Sequence, residues 1–216
     1  MRTAAILSLK PTQFSMGLEE INARIKHLTG LSKKDLSKFL HERPIPVVIS
    51  PKKKLYLIDH HHLLHSCWQI GVKEVEIEIR ADLSHLKITY KKFWKTMVKS
   101  HWAYLYDQFG DGPREPLYLP PDIRGLANDP YRSLAWTVRC AGGYTDTHET
   151  FADMKWAELF RKHKFLKTQG HKSIEEVLDR AIRLAKSKHA QDLPGYKGKP
   201  ITPKVKLSKV DRATKA

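Results

Sequence analysis

Asp59-His60-His61-His62-Leu63-Leu64-His65 brings one carboxylate and four imidazoles into seven residues. Imidazole titrates near neutral pH, so it can take or give a proton, donate to a phosphate oxygen, or ligate a metal. His61 and His65 stand four apart and share a helical face. Asp59 and His62 can do the same if the helix starts early. With Asp59 as a third ligand the spacing also admits a divalent metal. Successive helical residues point about 100° apart, so three neighbouring histidines cannot all meet one ligand. At least one is structural, or Asp59 serves only as a helix cap. The segment is read as a site with Asp59, His61 and His62 catalytic and His60, His61 and His62 on phosphate. His65 is in support.

A second group is Asp129-Pro130-Tyr131-Arg132, followed by Arg139. A guanidinium clamps phosphate or carboxylate through two parallel N–H donors. Arg132 and Arg139 lie seven residues apart, about two turns of one helix. They can line an anion pocket, or they can pair with Asp107 and Asp129 inside the protein, and internal pairing is the heavier reading. Asp129 can support the site or simply cap a helix that has Pro130 at its first position.

These side chains need positioning elements. A short strand is expected over Ala5–Leu9, interrupted at Pro11. Leu18–Leu28 has helical spacing, and a second helix starts after Ser32 and reaches about His41. Val47–Ile49 and Leu55–Ile58 read as a hairpin around Pro51. His60–Ile70 follows as a helix stopped by Gly71. Val75, Ile77 and Ile79 alternate with Glu74, Glu76 and Glu78, the period of a half-buried strand. The acidic–histidine segment thus falls where a strand gives way to a helix, whose first N–H groups suit an anion.

The second half is more helical. Tyr90, Phe93, Trp94 and Met97 share one face, and 104–130 is loop-like. Helices are expected over Ser133–Ala141 and Glu149–His163. Another follows Ser173, whose spacing to Glu176 is that of a capping box. Trp94, Trp102, Trp136 and Trp156 sit in apolar helical patterns and read as core. Gly142-Gly143 reads as a helix stop.

Charge bounds the partners. Lys and Arg number 39 against 23 Asp and Glu, a net +16. Residues 197–216 hold six Lys and one Arg against one Asp, which leaves +10 for the first 196. Such a balance attracts polyanions, nucleic acid or a phosphorylated small molecule. Cys67 and Cys140 form no Cys-x-x-Cys pair, so neither a disulfide framework nor a zinc–cysteine site is expected. The start of the chain lacks the length of a secretory leader, and no apolar run approaches the roughly 20 residues of a membrane helix. A cytoplasmic location without membrane partners is the resulting expectation.

Read in order, the segments Lys10-Pro11-Thr12-Gln13, Ile45-Pro46-Val47-Val48 and Leu55–His62 resemble the ParB-like nuclease family. So do Asp129–Ala135, Gly142-Gly143-Tyr144, Trp156-Ala157-Glu158 and Leu193-Pro194-Gly195. That family is a distant branch of the ParB/sulfiredoxin superfamily. The resemblance spans about residues 7–198. It implies an α+β fold, with a small ParB/sulfiredoxin-like sheet-and-helix domain over 1–82 and a mainly helical lobe over 83–196. The basic tail 197–216 is expected to be disordered.

It also implies a nuclease acting on phosphodiester bonds through the histidine cluster, with a divalent metal or a nucleotide as the cofactors to consider. Free serine kinases of the same superfamily resemble the chain in an Asp-Gly-His-His-Arg signature. Asp59, His61 and His62 match it, while His60 replaces the glycine and Leu63 the arginine. Gln13 stands where such a kinase would have a glutamate, and an amide cannot act as a base. Glu19 or Glu20 are the substitutes at hand. Sulfiredoxin chemistry is disfavoured, because Cys67 falls two turns into the helix. The alternatives to a nuclease are therefore a nucleotide-dependent small-molecule kinase and a non-catalytic nucleic-acid-binding module. On the sequence alone, changing both His61 and His62 to Ala is expected to spare the fold and abolish phosphate binding.

Overall fold

The computed structural model describes residues 2–147, 149–166 and 173–198. The tail expected to be disordered lies outside them beyond Gly198. The fold is α+β, with seven α-helices among the described residues and a four-stranded mixed sheet. The chain divides into two compact units, Met1–Met16 with Arg24–Ala127, and Gly17–Ala23 with Asn128–Ala216.

The first unit is built on the sheet. Its strands are β1 (Arg2–Ala5), β3 (Ile45–Ile49), β4 (Leu55–Leu57) and β5 (Glu74–Asp82), in the order β1-β5-β3-β4. A two-residue strand β2 (Ser15–Met16) lies between β1 and β3 in sequence. β3 and β4 form the expected antiparallel hairpin, with Val47 opposite Leu57 and Ile49 opposite Leu55. β3 runs parallel to β5, and β1 antiparallel to it. Ile45, Val47 and Val48 are fully buried, as befits an interior strand made of one apolar run. On β5 the pairing passes from Val47–Ile79 to Val48–Ala81. Arg80 is therefore the extra residue of a bulge, a device that re-aims side chains.

The strand expected over Ala5–Leu9 sits earlier. Ile6 N–H donates to Lys73 O, ending the ladder, and Ile6–Ser8 closes into one 3₁₀ turn in which Leu9 N–H returns to Ile6 O. Ile6 and Leu9 are both buried, and the 3₁₀ spacing of three serves that better than a strand. The next helices are α1 (Leu18–Thr29) and α2 (Lys33–His41), the latter capped by Ser32 as expected.

Residues 83–127 pack with the sheet rather than with the helical lobe, so the boundary falls far from the expected 82/83 division. Helix α4 (Tyr90–Lys99) lays Phe93, Trp94 and Met97 against Val48, Ala103 and Leu105, with Tyr56 and Ala81 at the margin. Its amphipathic stripe needs an apolar partner, and the sheet supplies it. Beyond it come loops with two 3₁₀ turns, and Ala127 N–H donates to Phe14 O at the start of β6 (Ala127–Asn128).

The second unit holds α5 (Pro130–Cys140), α6 (Ala152–Lys162) and α7 (Ile174–Ala185) around Leu134, Val138, Tyr144, Trp156, Phe160 and Ile182. α5 starts three residues before the expected Ser133, because Asp129 caps it through Tyr131 N–H and Arg132 N–H. α6 starts after the expected Glu149, with Phe151 at its N-cap. α7 has the predicted Ser173 cap on Glu176 N–H. Gly142 at φ +80° ends α5 as read. Trp94, Trp136 and Trp156 are buried and Trp102 packs on the α4 cluster, so the indoles are core.

Gly17 opens the second unit against the backbone of α5, where an added Cβ would lie 2.8 Å from Ser133 N and 3.0 Å from Arg132 C. Gly17→Ala should therefore lower unfolding stability by about 1–3 kcal/mol. A denaturant midpoint equal to that of the parent chain would show the contact to be yielding.

Candidate functional site

The histidine segment does occupy a strand-to-helix junction of the first unit. β4 ends at Leu57, and Ile58 N–H donates to Pro46 O. Helix α3 runs from His61 to Gln69, one residue inside each end of the expected span. Its N-cap is His60, in the left-handed conformation at φ 64° and ψ 25°, and no side chain caps the helix. Asp59 is not the cap; its Oδ1 accepts His60 N–H at 2.6 Å and fixes the turn. The backbone form at His60 is one that favours glycine, the residue of the resembled kinase signature at this position.

Lys10-Pro11-Thr12-Gln13 reaches this junction by completing the sheet. Lys10 pairs with the free edge of β4, its N–H donating to Leu55 O and its carbonyl accepting Leu57 N–H. Thr12 Oγ1 then donates to Leu57 O at 2.7 Å, and Thr12 N–H donates to His61 Nε2 at 3.3 Å. Tyr104 N–H closes on Thr12 O. The imidazole of His61 is thus a buried acceptor, and the segment it holds is part of the core. Removing it by an Ala substitution opens a cavity, so the expectation that the His61/His62 double variant keeps its fold does not carry over.

Two polar side-chain nitrogens here have no hydrogen-bond partner: Nε2 of buried Gln13, an amide donor, and Nδ1 of His60. Each belongs to a residue next to the Thr12–His61 contact. Buried polar atoms are nearly always satisfied, and an amide NH₂ needs an acceptor. Burial pushes the His60 imidazole below its ordinary value; Asp59 opposes the shift and Arg24, Arg43 and Arg80 add to it. Three guanidiniums therefore act on this imidazole, from α1, from the end of α2 and from the β5 bulge. Nothing local in the sequence marks them as neighbours, and the sequence reading missed them. The nearest signal was the alternation of Val75, Ile77 and Ile79 with Glu74, Glu76 and Glu78, which Arg80 follows directly.

His62 is half-buried at the helix start, and Ser66 Oγ donates to its carbonyl. His65 is buried with its ring edge-on to Trp68 and Nδ1 without a partner. Among the described residues no group of three His, Cys, Asp or Glu side chains is placed to hold a metal ion, so the Asp59-based ligand set allowed by spacing is not formed. Cys67 is fully buried, and burial pushes its thiol up to about 12, far from a reactive thiolate.

The remaining candidates belong to the second unit. Arg139 pairs with Asp146 at 3.0 Å and Asp153 at 3.2 Å. Asp129 pairs with Arg161 at 2.7 Å while capping α5. Arg139 and Asp129 are thus internally paired, as expected of them, with Asp146, Asp153 and Arg161 as the partners, and Asp107 is taken by Arg114 in the first unit. Arg132 is buried and acts electrostatically on Asp129 and Asp153. Glu19 and Glu20 also belong to this unit; Glu20 is buried, and burial followed by the nearby Glu175 raises the Glu19 carboxyl.

A family model described as "Putative ParB-like nuclease" matches residues 2–162. Among solved structures, the crystal structure of protein Atu1540 from Agrobacterium tumefaciens is similar, with a TM-score of 0.79 and 34% identity. The match covers 91% of this chain and 95% of that one. Among curated proteins none matches. No described helix is long and apolar enough to cross a membrane.

Burial holds the His65 imidazole below its ordinary value of 6.5. The unfolded chain then takes up this proton first, so stability is full above pH 6.5 and falls as pH drops toward the lowered folded value. His65→Phe keeps a ring against Trp68 and cannot titrate. Its melting temperature should fall less than the parent's between about pH 7.5 and about pH 5. Parallel curves would assign the acid sensitivity elsewhere.

Proposed function

The chain belongs to the ParB-like nuclease family, and on that footing we propose that it hydrolyses phosphodiester bonds at the β4–α3 junction. The observation that carries this reading is the pair of unpartnered nitrogens, Gln13 Nε2 and His60 Nδ1, at the head of a helix where His60 feels three arginine charges. A phosphate oxygen is the acceptor such nitrogens need when they donate, and the helix end and guanidiniums favour its charge.

In this mechanism water attacks phosphorus and one P–O ester bond breaks. His62 takes the proton of the attacking water, because His61 Nε2 is already engaged by Thr12 N–H. The leaving oxygen takes a proton from solvent. Gln13, His60 and the arginines steady the charge that builds on the phosphoryl oxygens. Asp59 and His61 are positioning residues, one holding the turn and the other holding the Thr12–Gln13 segment. Arg139 and Asp129 are ion-paired in the helical unit, Arg132 is buried there, and none of the three is needed for this step. The kinase alternative has less support, because Gln13 ends in an amide that cannot remove a proton.

His60→Gly is the decisive variant, since glycine suits the φ of 64° better than histidine does. It should fold with equal or higher stability. It should bind a non-hydrolysable dinucleoside phosphorothioate about tenfold more weakly, the worth of one charge-assisted hydrogen bond. Parent binding should also tighten as pH falls through the His60 titration, because the anion favours the imidazolium. A folded His60→Gly chain that binds and cleaves like the parent would overturn the assignment.

A further inference from the structure

Helix α4 has a second face that the junction does not use. Between Asp82 and Asp107 the chain has no acidic residue, and it places Lys87, Lys91, Lys92, Lys95 and Lys99 there. At about 100° per residue the last four share the arc of α4 opposite Phe93, Trp94 and Met97. All five are exposed, and none makes an ion pair among the described residues. A surface helix with this much unneutralised like charge is poorly arranged for solubility alone, which mixed signs serve better.

Aromatic rings stand beside these cations. Tyr90, in the first turn of α4, is half-exposed and sits edge-on to Trp94 at 6.2 Å. Its hydroxyl feels the Glu115 carboxylate. The 3₁₀ turn after Glu115 presents Tyr118, which is 74% exposed, while Leu119 next to it packs on the α4 cluster. Tyr90 thus stands in the first turn of the lysine helix, and Tyr118 follows on a turn whose next residue, Leu119, packs on the same cluster, and both rings are exposed.

Cations that track a backbone, together with open rings on which bases can stack, are the recognition chemistry of single-stranded nucleic acid. A duplex keeps its base faces covered and would use only the lysines. We propose that the outer face of α4, with Tyr90 and Tyr118, docks single-stranded nucleic acid. This surface is distinct from the β4–α3 junction, and its binding does not depend on cleavage there.

The test is fluorescence anisotropy of the full chain with labelled oligothymidylate of about 15 nucleotides and with a duplex of equal length, over a range of salt. Two variants are compared with the parent. One carries Lys91→Gln, Lys92→Gln, Lys95→Gln and Lys99→Gln; the other carries Tyr90→Ala and Tyr118→Ala. The basic tail is present in all three, so its contribution cancels. The lysine variant should bind the single strand at least tenfold more weakly. The slope of log affinity against log salt should shrink by about 0.7 for each phosphate that is no longer neutralised. The tyrosine variant should lose about tenfold on the single strand with its salt slope unchanged and its duplex binding intact. Parent-like affinity and slope in the lysine variant would overturn the surface. Equal losses on single strand and duplex in the tyrosine variant, or none on either, would overturn the single-strand preference. Binding to anionic vesicles that both variants lose, with oligonucleotide binding untouched, would assign the face to a membrane instead. The lysine and tyrosine variants should both bind the dinucleoside phosphorothioate at the junction as the parent does, so a failed junction and a failed α4 surface give different results.

Discussion

The Thr12 N–H that donates to His61 Nε2 joins residues 49 apart in the chain. On one side of that bond hangs the Lys10–Gln13 segment, sealed on the β4 edge; on the other is the first turn of α3. The bond requires the ring nitrogen to be unprotonated, so His61 must stay neutral and carry its proton on Nδ1. An imidazolium there would set two donors against each other and loosen the segment that holds Gln13. The same constraint removes His61 from the pool of available bases and passes that duty to its neighbour. Geometry of this kind separates four adjacent-looking imidazoles into different jobs. One is a backbone turn, one a clamp, one is half-open at the helix head, and one is packed on Trp68.

The local parts of this arrangement were legible in the sequence. Ser32 and Ser173 announced their helices, because capping is written within four residues. The alternating Val75-Glu76-Ile77 pattern announced β5, and the apolar run 45–49 with a turn at Pro51 announced the hairpin. The His-rich segment was placed correctly between a strand and a helix for the same reason. Errors arose where a tertiary contact outvoted local spacing. Ile6 and Leu9 look like strand residues, but the end of the β5 ladder at Lys73 turns the chain there. Residues 83–105 read as part of a helical lobe until the sheet offers the apolar surface that α4 needs.

The charge neighbourhood of the junction was not legible at all. Arg24, Arg43 and Arg80 act electrostatically on His60 from three separate parts of the chain, and no local spacing marks them as its neighbours. Arg139 and Asp129 show the converse. Their types and spacing suggested ion pairs correctly, yet the partners are Asp146, Asp153 and Arg161, chosen by helix packing rather than by sequence distance. Residue type tells what a side chain can do, and topology decides what it is asked to do.

The strand order also sets an order in time. β3 and β4 are joined by a tight turn and can zip as soon as both exist. β1 has only β5 to pair with, so Ala5 must wait for Glu74. The loop between them is closed late, and it is entropically the more demanding contact. Until then the nascent chain exposes the edge of a half-built sheet, where another strand could add. Residues 2–5 act here as the closing strip of that edge. Their loss would be felt as aggregation during synthesis before it was felt as a lower melting temperature.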